Sequence, residues 1–259
     1  MVETGDACME SVARRRAARA DSTRTACSMH AVLKDIIARK HREVAHAREA
    51  VPLERLKEQI SELGRPRNFF QACVDRRHPD ATHVIAEIKR KSPSAGVIRE
   101  DFDPVAIARA YADNGASAIS CLTDEHDFGG RLEYIHRIRD AVKLPVLRKD
   151  FIVDIYQVWE SRAAGADAIL LIAEAIPECD VIDFQILATE LGMTTLLEVH
   201  DVEHLLRSVN NVGFPHASYS LLGINNRDLR TMKTSIEHCM RLAELLEDTS
   251  VLVAESGIR

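Results

Sequence analysis

The sequence has no stretch approaching the roughly 18 to 20 consecutive apolar residues that cross a bilayer, and no surplus of positive charge. Its 34 Lys and Arg stand against 40 Asp and Glu. The first absence argues against a membrane-spanning helix. The second removes the broad basic field used by nucleic-acid binders, while leaving room for a local cationic pocket that takes a small anion. The six cysteines (Cys8, Cys27, Cys73, Cys121, Cys179 and Cys239) include no C-x-x-C pair. That pattern suits reduced thiols in a soluble, cytoplasmic protein better than a disulfide framework. Cys121 closes an apolar run and reads as a small core residue. H-E-x-x-H is missing, and His41 and His46 lie five apart on a helix, so no metal site is expected.

What is present is a repeat. From residue 83 onward, β-rich apolar runs alternate with amphipathic helical stretches. The strands are expected at 83–89, 117–122, 145–149, 167–172, 194–199, 219–224 and 251–254. Helices fall near 104–114, 131–141, 154–165, 178–192, 201–209 and 235–247. Gly115 and Gly165, in N-G-A-S-A-I-S and A-G-A-D-A-I-L, fit the left-handed position that ends a helix. Ahead of the repeat, apolar positions at helical spacing predict a helix over 31–50. A second is expected from Pro52 to about Gly64, and Asn68 is placed to cap a short third. Residues 1–28, with Arg14, Arg15, Arg16, Arg19 and Arg24 among Ala, Ser and Thr, read as a disordered tail. Glu3, Asp6, Glu10 and Asp21 argue against a transit peptide, and Met29 is an alternative first residue.

Alternating β and α units require a parallel sheet with right-handed crossovers. The fingerprint G-x-G-x-x-G is absent after the first strand, where K-R-K-S-P-S stands, so a dinucleotide-binding sheet is disfavoured. The expected fold is therefore an α/β (β/α)8 barrel with extra N-terminal helices over 29–259. Only seven strands can be found, in the 177 residues from 83 to 259. A complete barrel usually takes about 250, so the expectation is a truncated barrel lacking its last helix-strand-helix segment.

Four strands end on ionisable or amide groups: V-I-A-E-I-K, P-V-L-R-K-D, L-L-E-V and L-G-I-N-N. Buried strands stay apolar unless a charge is paired, so such endings at the carboxyl edge of a parallel sheet point to an active site. Glu87 and Lys89, two apart, share a face. Lys149, Glu198 and Asn225 end three further strands. Two amines and two carboxylates together should separate their pKa values into an acid and a base. Structural ion pairs filling a barrel layer are the bland alternative. The S-P-S-A-G turn beginning at Ser92 and the E-S-G turn with Ser256 and Gly257 offer backbone N–H groups to a phosphate, if they are more than ordinary tight turns. Phe128 and Phe151 fall in loops at the same mouth, where they sandwich an aromatic substrate or merely cover the core. His200 reads as a helix-start residue rather than a partner on the face of Glu198.

Taken together, E-I-K-R-K-S-P-S, L-T-D-E with Phe128 after it, V-L-R-K-D-F, L-L-E-V-H, G-I-N-N-R-D-L and E-S-G resemble the indole-3-glycerol phosphate synthase family from about residue 30 to 259. The resemblance implies ring closure, decarboxylation and dehydration of 1-(2-carboxyphenylamino)-1-deoxyribulose 5-phosphate in tryptophan biosynthesis, without metal or cofactor. It implies Lys149 as general acid, with a pKa lowered by burial and by Lys89. Lys89 would hold substrate and serve as a second acid, Glu198 would be the base for the departing ring proton, and Glu87 would orient the lysines. Asn225, Ser256, Arg227 and Ser92 would contact substrate, Gly257 would donate its N–H to phosphate, and Phe128 and Phe151 would line the aromatic pocket. The implied partner is a phosphorylated small molecule, with neither nucleic acid nor membrane, and association with other enzymes of the pathway is possible within this reading. The family's glycine-serine pair after strand eight has no counterpart here. Two alternatives stay open: another phosphosugar barrel, such as phosphoribosylanthranilate isomerase, which would need Cys and Asp where Lys and Glu stand, and a silent partial barrel that only binds or assembles.

Overall fold

The computed structural model describes residues 31–75, 82–93, 95–211, 219–227 and 233–258. The expected disordered tail lies outside the described residues. Three helices open the fold: α1 (Ala31–Ala50), α2 (Leu53–Glu62) and α3 (Phe69–Val74). Pro52 stands at the N-cap of α2 rather than in its first turn, and Asn68 caps α3 by accepting from Gln71 N at 2.8 Å.

Seven parallel strands follow: β1 (Ile85–Ile88), β4 (Ala118–Leu122), β5 (Val146–Lys149), β6 (Ala168–Ile172), β7 (Thr194–Val199), β8 (Ser220–Asn225) and β9 (Leu252–Glu255). Each pairs with the next in chain order. The crossovers carry α4 (Pro104–Asp113), α6 (Glu133–Ala141), α7 (Ile155–Ala163), α8 (Glu178–Glu190), α9 (Val202–Asn211) and α10 (Ile236–Ala243). Gly115 and Gly165 have φ of 82° and 87°, the left-handed backbone expected after α4 and α7.

The sheet curls, and side-chain contacts require it. Strands lie about 4.8 Å apart, so β5 and β9, four places apart in the order, would be about 19 Å apart in a flat sheet. The Lys149 amine nonetheless lies 2.6 Å from Glu255. Among the described residues the result is an incomplete barrel of seven strands, with β1 and β9 as its outer strands. Ile88, Ile119, Leu147, Ile169, Leu171 and Leu196 are at most 2% exposed in its core. Among the described residues no helix is long and apolar enough to cross a membrane.

Two local features depart from expectation. Residues Lys91–Ser92 (β2) and Gly96–Val97 (β3) form a small antiparallel hairpin where the turn after the first strand was expected. A four-residue helix, α5 (Glu125–Phe128), occupies the expected loop around Phe128, because Asp124 accepts from Asp127 N at 2.7 Å and Gly129 ends the turn at φ 64°. Cys121 is buried and its thiol is pushed up to about 12 by burial, as a core residue's should be.

Candidate active site at the carboxyl edge of the sheet

Along β5, successive side chains take opposite faces. Arg148 points outward and is spent on Asp150 (3.1 Å), Glu160 (2.8 Å) and Ser161 Oγ (3.1 Å). Lys149 points inward, its Nζ 2.6 Å from Glu255 Oε2 on β9 and 3.3 Å from Glu198 Oε2 on β7. Asn225, ending β8, donates from Nδ2 to Glu198 Oε1 at 2.9 Å and accepts from Arg227 N at 3.0 Å through Oδ1. Glu87 and Lys89 are hydrogen-bonded to each other beside this group, and Glu87 acts on the charge of Lys149. The ends of β1, β5, β7, β8 and β9 thus contribute to one site.

Glu255 is the site residue that the sequence reading misses. Its signal is the same as for the others, a carboxylate closing an apolar strand, but E-S-G draws attention to the small residues after it. Gly223, on the neighbouring strand, makes its room: a Cβ there would collide with Glu255 Oε1. Glu174, after β6, has no sequence signal at all. It reaches the site through His200, whose Nδ1 lies 3.2 Å from Glu174 Oε2 and whose Nε2 lies 3.1 Å from Glu198 Oε1. The helix-start role expected for His200 is therefore wrong. Asp201 takes it, accepting from His204 N at 2.9 Å, which leaves the imidazole free to turn inward.

The charges sort differently from expectation. Burial works against the charge on Lys149, but Glu255, Glu198 and Glu87 outweigh it and hold the amine above its ordinary range. The expected lowering by burial and Lys89 does not occur, because three carboxylates face this amine. The separation falls on the carboxylates instead. Burial and the neighbouring Glu198 raise Glu255 to about 7 against the pull of Lys149. Glu198 is opposed by burial too, yet Lys149, His200 and Asn225 keep it well below the usual carboxylate range. One buried carboxylate is thus ionised and its neighbour is poised near neutrality, across a protonated amine.

The other candidates border this group. Phe128 and Phe151 meet each other with ring centroids 6.1 Å apart, and both stay partly exposed. Ser92 is buried in the β2–β3 hairpin, where its Oγ accepts from Ala95 N at 3.2 Å. Ser256 and Gly257 both adopt positive φ, 65° and 77°, and Asn226 Nδ2 donates to Ser256 O at 3.1 Å. A Cβ on Gly257 would come within 2.6 Å of Thr234. Glu174, Asp201 and His204 bring ligand atoms within 4.8 Å of one another. These atoms are already hydrogen-bonded, Asp201 Oδ1 to His204 and Glu174 Oε1 to His200 N, so the trio reads as a helix cap. A cavity of about 750 Å³ on the outer side, lined by Lys40, Thr123, Arg148, Asp150, Gln157 and Glu160, is separate from the inward face of Lys149.

The chain is similar to known proteins of one family. Residues 33–259 match the sequence pattern of the family described as indole-3-glycerol phosphate synthase. An indole-3-glycerol phosphate synthase of Rhodopirellula baltica is 45% identical over 228 residues, covering 88% of this chain and 85% of that protein. One from Acidithiobacillus ferrooxidans is 45% identical, covering 88% and 84%. One from Neisseria gonorrhoeae is 47% identical over 227 residues, covering 88% and 85%.

Proposed function

The chain belongs to the indole-3-glycerol phosphate synthase family, and we propose that it converts 1-(2-carboxyphenylamino)-1-deoxyribulose 5-phosphate to indole-3-glycerol phosphate, CO2 and water. The observation that carries this reading is the amine of Lys149 held between Glu255 and Glu198 at the carboxyl edge of the sheet. Lys149, kept protonated, gives its proton to the substrate ketone oxygen as the aromatic ring carbon attacks the carbonyl carbon. Loss of CO2 restores the aromatic ring. The hydroxyl formed from the ketone then leaves as water with a proton from Lys89, and ionised Glu198 takes the proton released from the new five-membered ring.

Glu255, near neutrality and hydrogen-bonded to Lys149, is suited to return a proton to that amine. Phe128 and Phe151 support the aromatic ring. Glu87 holds Lys89, while Asn225 and Arg227 contact the ribulose chain. Ser92, Ser256 and Gly257 face the phosphate.

Turnover of the carboxyphenylamino substrate, followed by indole fluorescence, tests the proposal. The native protein should form product, and Lys149→Ala should lose at least about a hundredfold in kcat while still binding the reduced, unreactive substrate analogue. No product from the native protein sinks the reading. Undiminished turnover by Lys149→Ala removes that residue as the acid.

A further inference from the structure

Both ring nitrogens of His200 face carboxylates, one on β7 and one in the turn after β6. Nδ1 lies 3.2 Å from Glu174 Oε2, while the backbone N–H of the same residue donates to Glu174 Oε1 at 2.7 Å. Nε2 lies 3.1 Å from Glu198 Oε1, an ion-pair contact. The three side chains are 7%, 10% and 4% exposed. A neutral imidazole carries one N–H and could serve only one of these partners, leaving a buried carboxylate against a ring lone pair. Two buried carboxylates therefore call for the imidazolium. Burial opposes that charge, but Glu174 and Glu198 raise the group to about 10.

The geometry at Glu198 gives the contact a use. Oε1 accepts a hydrogen bond from Asn225 Nδ2 at 2.9 Å and has His200 Nε2 at an ion-pair distance of 3.1 Å, without hydrogen-bond alignment, whereas Oε2 faces the Lys149 amine at 3.3 Å. With Oε1 fixed, the carboxylate cannot turn about its terminal bond, and one defined oxygen is presented beside Lys149. We propose that His200 is a positioning residue for Glu198, an imidazolium clamp anchored on Glu174 that fixes one carboxylate oxygen and directs the other at the substrate. This deepens, and rests on, the reading of Glu198 as the base.

Charged and titratable groups face the clamp from every side. Glu198 comes from β7, Glu174 from the segment after β6, and Lys149 from β5 across Glu198. His204 of α9 sets Nδ1 3.5 Å from Glu174 Oε1 and 2.9 Å from Asp201 Oδ1. His238 of α10 places Nε2 2.8 Å from the His200 carbonyl oxygen. His200 links the base to Glu174, as Lys149 links it to Glu255.

His200→Gln tests the clamp, since it keeps a donor but removes the charge. The acid limb of the kcat/KM profile should move up by about one pH unit, because Glu198 must stay ionised to accept a proton. At pH 7, kcat should fall about tenfold, with KM changed by less than about twofold. A space-filling ion pair would alter stability without moving the limb. An independent readout is the carboxyl 13C titration of Glu198, assigned by its loss in Glu198→Gln, which should also shift upward. If the native protein makes no product, the proposed function fails, and this titration still decides the clamp. If His200→Gln does not fold, Glu174→Gln should raise the same titration by loosening His200. Profiles that superimpose on the native ones overturn the proposal.

Discussion

Gly223 and Glu255 show how one missing methyl group shapes this site. The glycine has no φ requirement to explain it; its role is the space into which the Glu255 carboxylate folds beside Lys149. Gly223→Ala should push Glu255 off the amine and lower kcat by about tenfold or more, read by steady-state turnover. Glu255 also carries a stability signature. A carboxyl whose pKa is raised on folding, here to about 7, stabilises fully below its unfolded value and loses that contribution as the pH rises through 7. Glu255→Gln should therefore unfold like the native protein near pH 5, and at pH 8 be more resistant to urea by on the order of 1 to 3 kcal/mol. Glu87, Lys149, Glu198 and Asn225 are legible in the sequence because each closes an apolar run. Glu255 carries the same mark. The direction of the His200 ring does not, since nothing in L-L-E-V-H-D distinguishes a cap from an inward-facing imidazole.

At the scale of elements, Asp167 fastens the opposite edge of the sheet. It is fully buried at the start of β6, with Oδ1 accepting from Arg67 N at 2.6 Å and Oδ2 from Val146 N at 2.8 Å. Arg139 of α6 pairs with it as well. Arg67 in turn donates to the carbonyls of Arg139, Val142 and Leu144 at 2.8 Å each, so one carboxylate joins the chain before α3 to α6 and β5. Removing it leaves the half-buried Arg139 cation and the backbone N–H groups of Arg67 and Val146 without their acceptor. Asp167→Ala should cost about 3 to 5 kcal/mol, a fall of roughly 6 to 20 °C in Tm, with kcat per folded molecule unchanged because this edge is far from the chemistry. The helix caps that hold such elements are largely readable. Asn68 caps as the sequence predicts, and Asp103 and Asp154 cap the two helices that follow them. The short α5 is not, because D-E-H-D-F-G-G has no helical periodicity and forms a turn only through its Asp124 cap and Gly129.

For the whole molecule, the question is how the N-terminal helices stay on the sheet. Lys40 of α1 is 4% exposed and lies 2.9 Å from Asp124 and 2.8 Å from Asp150, each just beyond the end of a strand. Burial opposes its charge, yet the two acids raise it to about 12. Tyr156 of α7 adds hydrogen bonds to Ala47 O at 3.1 Å and Val51 O at 2.8 Å. Lys40→Met should cost about 3 kcal/mol and speed amide exchange throughout α1. The fully buried inner strands β6 and β7 should exchange slowest, as mass spectrometry of exchanged peptides can read. The sequence by itself determined the alternation of strands and helices, their parallel order and the charged strand endings, because periodicity and burial are written in neighbouring residues. Only the tertiary structure decided which of those charges meet. The curl of the sheet carries β5, β7 and β9 to one place, and the protonation of Lys149, Glu198 and Glu255 depends on distances that no stretch of sequence contains.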